Sequence, residues 1–240
     1  MATQDVENYV TAKWKQYREP VTELSKEQKK GTSLVVSDMQ MYNFDKITKD
    51  IYATKKNAMP TSADALTFSR KHILFVEFKS GFKKKVRKNA LDKEKAKCKK
   101  IDDICPDYWK IFFKNQESET IGLINSLQMK SADSYITLEK QIFPKCEGDN
   151  SRVLVDLWVI IDEDEIDYME DTLADLAGKT TKEKTNIFER IRKALNRFLR
   201  QQDANRNQYY YESIHVLSAR DYENYLKTVE QEKGEVGLCT

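Results

Sequence analysis

The feature that most constrains the fold is a pair of short apolar runs between Ala63 and Gly81, ADALTFSRKHILFVEFKSG, joined by polar residues at 69–71. Both runs are rich in β-branched and aromatic residues, and their length is typical of strands. They predict a β-hairpin that turns at 69–71. Because the second run is apolar on both faces until its end, the hairpin is expected to be largely buried.

Charged residues interrupt the second run at its end. Side chains alternate between the two faces of a strand, so Glu77 and Lys79 share a face that is otherwise apolar. In a hairpin, the start of the first strand lies beside the end of the second, which brings Asp64 close to both. Two carboxylates suit a hard cation such as Mg²⁺, which takes oxygen ligands and needs only one or two carboxylates. The lysine can orient a water molecule or balance charge on phosphate oxygens.

At Asp64 and Glu77-Phe78-Lys79 the sequence resembles the PD-(D/E)xK nuclease superfamily, which includes many restriction-type and repair endonucleases. The resemblance covers in detail only about residues 40–81. It also departs from the family pattern, because three residues separate Pro60 from the acid.

The resemblance implies a mixed α/β fold with a restriction-endonuclease-like core around hairpin 63–80. It implies that Asp64 and Glu77 bind Mg²⁺ or Mn²⁺, that the Phe78 backbone carbonyl completes the shell, and that Lys79 acts on the attacking water. The implied activity is hydrolysis of phosphodiester bonds, in restriction, repair or phage defence.

Two further acids precede the hairpin. Asn43 is a suitable N-cap for a helix through about Thr54, and this helix carries Asp45 and Asp50. The resembled family often places another metal-associated carboxylate here, so either acid is a candidate. The alternative is that they are solvated or interact with the helix dipole.

A basic run follows the hairpin at 83–100, with ten lysines or arginines and two acids. Such residues bind phosphates without reading sequence. The candidate nucleic-acid contacts are Lys83, Lys84, Lys85, Arg87 and Lys88. DNA is expected ahead of RNA. The alternative is a solvated helix or loop, which is the usual role of a charge run.

Downstream, the aromatic segment 107–114 predicts a buried strand, and 119–140 predicts one or two helices. Within the latter, Lys130 and Tyr135, with Ser131 between them, form a polar patch that is a candidate accessory part of the site.

The remaining elements complete an α/β pattern. Residues 152–161, RVLVDLWVII, predict a central strand in which the carboxylate of Asp156 needs a lysine or backbone donor. A helix is expected over 5–24 and another over 181–202, whose core stripe consists of Ile187, Ile191, Leu195, Phe198 and Leu199. An edge strand over 212–218 and a helix over 219–231 follow.

The length allows one large domain or two small ones, and the absence of an internal repeat or low-complexity linker favours one domain over 1–240, with a nuclease-like core at about 34–161 and C-terminal additions. The chain has 240 residues, 33% of them charged, and a net charge of +2, so nucleic-acid affinity must come from local patches. No apolar run reaches the length of a membrane span, and no signal peptide or zinc spacing is present, so a cytoplasmic protein is expected.

A different class of function stays open from the sequence. The chain can be a non-catalytic module that binds nucleic acid or protein on a degenerate nuclease-like fold. It can also be one component of a larger complex and inert by itself. A homo-oligomer is a further possible assembly. The first alternative predicts that Asp64, Glu77 and Lys79 do not converge, or that they converge without room for a metal.

Overall fold

The computed structural model describes the residue ranges 2–27, 31–54, 59–69, 71–80, 106–147, 153–162, 187–200, 202–203 and 208–236. In chain order the strands are β1 (Arg18–Pro20), β2 (Gln40–Asn43), β3 (Ala65–Phe68), β4 (His72–Lys79), β5 (Leu154–Ile161), β6 (Gln202–Asp203), β7 (Gln208–Tyr209) and β8 (Ser213–Ser218). The helices are α1 (Ala2–Trp14), α2 (Val21–Leu24), α3 (Phe44–Tyr52), α4 (Pro106–Thr137), α5 (Ile187–Leu199) and α6 (Ala219–Val236).

A six-stranded mixed sheet forms the centre, in the order β1-β2-β3-β4-β5-β8. The first four strands are antiparallel neighbours, whereas β4, β5 and β8 run parallel to one another. The predicted hairpin is therefore confirmed as β3–β4, the strand at 152–161 as the internal strand β5, and the edge strand as β8. β6 and β7 pair separately.

Helices cover both faces of this sheet. On one face α1, α3, α4 and α5 enclose a buried cluster, for example Phe44, Phe75, Leu127 and Ile191. On the other face α2 and α6 pack on a second cluster that includes Val21, Val76 and Tyr222. Each fully buried side chain of this size contributes about 1.5–3 kcal/mol of apolar transfer free energy. The two faces confirm the expected mixed α/β class.

The helix before the hairpin begins as predicted. The Asn43 side chain accepts a hydrogen bond of 3.0 Å from the backbone N–H of Lys46, which makes Asn43 the N-cap of α3. Phe44 and Ile47 are fully buried on its inner face. The cap and the apolar stripe together hold α3 against β2 and β3.

The strand predicted at 107–114 is wrong, because this segment lies inside α4. The helix begins at Pro106, and proline is favoured in a first helical turn, where its missing N–H is not needed. A short aromatic run has the composition of a strand but does not exclude a helix, since an apolar run on its own has no distinguishing period. The helix expected over 119–140 is confirmed as the second part of α4, with a π-helical turn at Leu138–Ile142.

Two smaller expectations also fail. The helix predicted over 5–24 ends at Trp14, because Arg18–Pro20 pairs with β2 as an edge strand, a place where Pro20 needs no hydrogen-bond donor. Phe198 does not belong to the core stripe of α5, since 44% of it is exposed, while Ile191, Leu195 and Leu199 are buried.

Candidate active site

Glu77 and Lys79 lie at the carboxyl end of β4, which has a neighbouring strand on each side. Glu77 faces the α4 side of the sheet, and its side chain is only 1% exposed. The Lys79 Nζ atom lies 2.7 Å from Glu77 Oε1, because residues two apart in a strand project from the same face. The strand thus delivers a buried carboxylate already paired with one ammonium.

Asp64 is the residue directly before β3, and the hairpin register, which pairs Ala65 with Val76, places it beside Glu77. Its Oδ2 atom accepts a 2.7 Å hydrogen bond from the backbone N–H of Phe78. Its carbonyl oxygen accepts a 3.1 Å bond from the N–H of Phe44, which ties it to the start of α3. The structure therefore brings together the three residues that the sequence predicted.

A second lysine reaches the same point from α4. Lys130 Nζ lies 2.7 Å from Glu77 Oε1 and 3.3 Å from Asp64 Oδ1, so one ammonium bridges both carboxylates. Leu127, three residues earlier, is fully buried in the core and turns this side of the helix toward the sheet. The sequence indicated Lys130 as an accessory residue, but its position between the two acids was not predicted.

Burial dominates the electrostatics of this cluster. Burial first, and repulsion from Glu77 second, raise the pKa of Asp64 to about 7, although Lys130 and the Phe78 N–H act in the opposite direction. Burial tends to lower the pKa of Lys130, but Glu77 and Asp64 outweigh it and raise this pKa above its ordinary value. An additional positive charge beside Asp64 would therefore stabilise its ionised form.

The donor set fits a divalent cation. Glu77 Oε2 is buried and has no hydrogen-bond partner among the described residues. A buried carboxylate oxygen without a partner is costly, and a cation would satisfy it. No group of three or more His, Cys, Asp or Glu in the described ranges could hold a metal ion. Mg²⁺ nevertheless needs only one or two carboxylates, with water and substrate oxygens as its other ligands.

Residues that the sequence analysis missed lock α4 onto the segment before Asp64. The fully buried Ser134 donates a 2.7 Å hydrogen bond to the carbonyl of Lys130 and accepts one of 2.7 Å from the N–H of Ala63. Asp133 Oδ2 accepts bonds from both the N–H and the hydroxyl of Thr61. The only sequence signal was the polar stretch that follows Lys130, which gives no indication of these distant partners.

Three other candidates have different surroundings. Asp45 accepts a hydrogen bond from Ser62 and pairs with Lys49, and Asp50 accepts a 2.8 Å bond from the Trp14 indole. Tyr135 is a buried core residue whose ring contacts Tyr210 and Tyr211. These contacts place Asp45 and Asp50 in interactions around α3, and Tyr135 in the packing of α4.

The predicted nucleic-acid contacts after the hairpin, Lys83, Lys84, Lys85, Arg87 and Lys88, lie outside the described residues. Exposed basic residues on and directly after α5 form what we call the basic surface of α5: Lys193, which pairs with Glu189 at 3.2 Å, Arg197 and Arg200. The Arg200 guanidinium lies 4.7 Å from the ring centroid of Tyr209. Positive charge is thus available on the same side of the sheet as α4.

A second polar cluster lies at the opposite end of β4. Asp156 Oδ2 lies 2.6 Å from Nδ1 of His72, and Asp156 Oδ1 accepts bonds from the N–H and the hydroxyl of Ser213, at 3.0 and 2.7 Å. The backbone donor expected for Asp156 is therefore present. In a serine hydrolase triad the histidine contacts the serine. Here the carboxylate lies between them, so the arrangement satisfies Asp156 and does not activate Ser213.

Searches of protein-family models, of curated protein sequences and of solved structures give no match to this chain. The residues of the site therefore carry the functional argument. No helix within the described residues is long and apolar enough to cross a membrane.

Proposed function

We propose that the protein is a metal-dependent nuclease that hydrolyses phosphodiester bonds in nucleic acid, with DNA the expected substrate. One observation carries the proposal: Glu77 and Asp64 meet at the end of a buried strand beside two lysines, while Glu77 Oε2 has no hydrogen-bond partner in the described part of the chain. Structural carboxylates are normally fully paired, so an incompletely paired one beside lysines suggests a site.

The fold supports the proposal. A buried hairpin carries Asp64 at one strand start and Glu77 and Lys79 at the other strand end, and α4 follows and leads to the parallel strand β5. This arrangement is compatible with the restriction-endonuclease-like core that the PD-(D/E)xK resemblance implies. Because searches give no match, the resemblance depends on the residues and their placement.

In this proposal Asp64, Glu77 and the Phe78 backbone carbonyl hold Mg²⁺ or Mn²⁺. The bound ion supplies Lewis acidity and a water molecule of lowered pKa. Lys79 orients the attacking water or stabilises the negative charge that develops on phosphate oxygens. Burial of Glu77 keeps competing water from its carboxylate. The basic run after β4, together with the basic surface of α5, binds the phosphate backbone.

The test is cleavage of single- and double-stranded DNA and RNA with Mg²⁺, Mn²⁺ or EDTA. Wild type is compared with Glu77→Gln and Lys79→Met. Cutting should need metal and fall by at least about 100-fold in both variants, since a well-placed charge in a dry site is worth that much. Asp156→Asn is the matched control, because it neutralises a carboxylate in a charged cluster at the other end of the same strands, and it should cut as wild type does.

The alternative is a non-catalytic nucleic-acid- or protein-binding module, and one observation favours it. The two ammonium groups of Lys79 and Lys130 balance the two carboxylates without any metal. This function predicts that wild type and Glu77→Gln bind nucleic acid or protein with equal affinity, and that neither cuts nucleic acid under any metal condition. That result would replace the nuclease proposal.

A further inference from the structure

The ammonium of Lys130 occupies the place between the two carboxylates where a shared cation would be expected. It reaches Glu77 Oε1 at 2.7 Å and Asp64 Oδ1 at 3.3 Å, from a helix distant in sequence. We propose that Lys130 is a built-in counter-ion, which holds Asp64 and Glu77 together in the metal-free protein and leaves this position when a divalent cation binds. The inference rests on the proposed function and adds a control of metal occupancy to it.

The two lysines of the site differ in one respect. Both contact Glu77 Oε1 at 2.7 Å, and both side chains are about one quarter exposed or less. Only Lys130 also reaches Asp64. Removing either lysine takes one positive charge from Glu77, but only removal of Lys130 clears the space between the acids. Comparing a Lys79 variant with a Lys130 variant therefore distinguishes the loss of one positive charge from the clearing of the position between the acids.

The surroundings of Lys130 favour movement of its side chain and not of its helix. Ser134 fixes the Lys130 carbonyl to the N–H of Ala63, and the Tyr211 hydroxyl donates a 2.7 Å bond to the carbonyl of Ser131. The backbone of α4 is thus held in place at Lys130 and Ser131. The Lys130 side chain is 25% exposed, and a flexible four-carbon stem can carry its ammonium outward without disturbing α4.

Exchange of the Lys130 ammonium for a divalent cation also makes the net charge of the site more positive. At pH 8 and without metal, two ammonium groups face two carboxylates, and the four charges balance. After a divalent cation enters, the same groups carry an excess of positive charge. The displaced ammonium stays tethered beside the site, where it attracts an anionic phosphate. Metal binding would thereby prepare the site for its substrate.

The test measures Mn²⁺ affinity without nucleic acid, by electron paramagnetic resonance of free Mn²⁺ at pH 8, for wild type, Lys130→Met and Lys79→Met. Methionine keeps the length of the side chain and removes its charge. Lys130→Met should bind Mn²⁺ about tenfold more tightly than wild type, which corresponds to about 1.4 kcal/mol. The Mn²⁺ affinity of Lys79→Met should increase clearly less than that of Lys130→Met. Equal gains in the two variants, or no gain in Lys130→Met, would overturn the inference while leaving metal binding by wild type intact.

A measurement on the unaltered protein covers the case in which Lys130→Met does not fold. Acetylation of individual lysines, followed by mass spectrometry, should show faster labelling of Lys130 at saturating Mn²⁺ than with EDTA, because its ammonium leaves two carboxylates. Unchanged or slower labelling of Lys130, with Mn²⁺ bound, contradicts displacement. Absence of Mn²⁺ binding in wild type and in both variants contradicts the proposed metal site itself, and the inference with it.

Discussion

The two ends of β4 carry two charged clusters that look alike in composition and differ in how completely they are paired. At the amino end, Asp156 Oδ1 accepts two hydrogen bonds from Ser213, and Asp156 Oδ2 lies at an ion-pair distance of 2.6 Å from His72 Nδ1, a nitrogen that has no hydrogen-bond partner in the described residues. At the carboxyl end, Glu77 Oε1 contacts two lysines, while Oε2 is buried with no hydrogen-bond partner in the described residues. Nearby Asp64 has its pKa raised to about 7, mainly by burial.

The difference separates a structural cluster from a candidate site. Buried polar groups in folded proteins are almost always hydrogen bonded, so a carboxylate with complete pairing needs no further explanation. At the carboxyl end, Glu77 has a buried oxygen without a hydrogen-bond partner in the described residues, and the ionisation of Asp64 beside it is opposed by burial and by the charge of Glu77, so a bound cation can relieve both. The comparison predicts that substitutions at the two ends change stability in opposite directions.

The largest effect on stability is expected at the amino end. Asp156→Ala leaves the N–H and hydroxyl of Ser213 without their acceptor and removes the carboxylate that His72 contacts, and should lower the free energy of unfolding by about 2–4 kcal/mol. Urea denaturation followed by circular dichroism measures this change. Asp156→Asn keeps an acceptor for Ser213 and should cost clearly less. A loss below about 0.5 kcal/mol in Asp156→Ala would show that this end is not the structural one.

A smaller effect of opposite sign is expected at the carboxyl end without metal. The folded-state pKa of Asp64 lies above its ordinary value, so its ionisation weakens the fold. This penalty is absent near pH 4, grows as pH rises, and is complete above the pKa of about 7. Asp64→Asn keeps one acceptor oxygen, for the Phe78 N–H, gives up the contact with Lys130, which still pairs with Glu77, and removes the penalty. It should therefore stabilise the protein at pH 8 by on the order of 2 kcal/mol, and by little near pH 4.

The measurement is the unfolding free energy of wild type and Asp64→Asn from pH 4 to pH 8 in EDTA. Asp156→Asn is the control and should show no gain that grows with pH. If Asp64→Asn is less stable than wild type at pH 8, the carboxylate is favourably paired, and the contrast between the two ends does not hold.

Much of the fold could be predicted because its signals are local. The alternation around Glu77, the hairpin and the N-cap at Asn43 each depend on neighbouring residues, and the structure has all three, with the hairpin closed by hydrogen bonds between Ser69 and His72. The hairpin register also made the meeting of Asp64 with Glu77 predictable, since it follows from the position of the turn. The segment at 107–114 failed because strand composition and helix composition overlap in short aromatic runs.

The remaining features of the site depend on contacts between distant parts of the chain. The ammonium of Lys130 lies between the acids because α4 packs on the sheet through Leu127, and Ser134 meets Ala63 for the same reason. No spacing in the sequence encodes these partners. The His72 contact of Asp156 is similar, since it requires the parallel register of β4 and β5.

The most direct test of the proposed metal site at Asp64 and Glu77 is a crystal structure, with anomalous scattering data, from crystals grown in the presence of Mn²⁺. We expect an anomalous peak for one Mn²⁺ ion held by carboxylate oxygens of Asp64 and Glu77, including Glu77 Oε2, and the Nζ atom of Lys130 withdrawn from both acids. No peak at the carboxyl end of β4, with Lys130 still bridging the two carboxylates at saturating Mn²⁺, would contradict it.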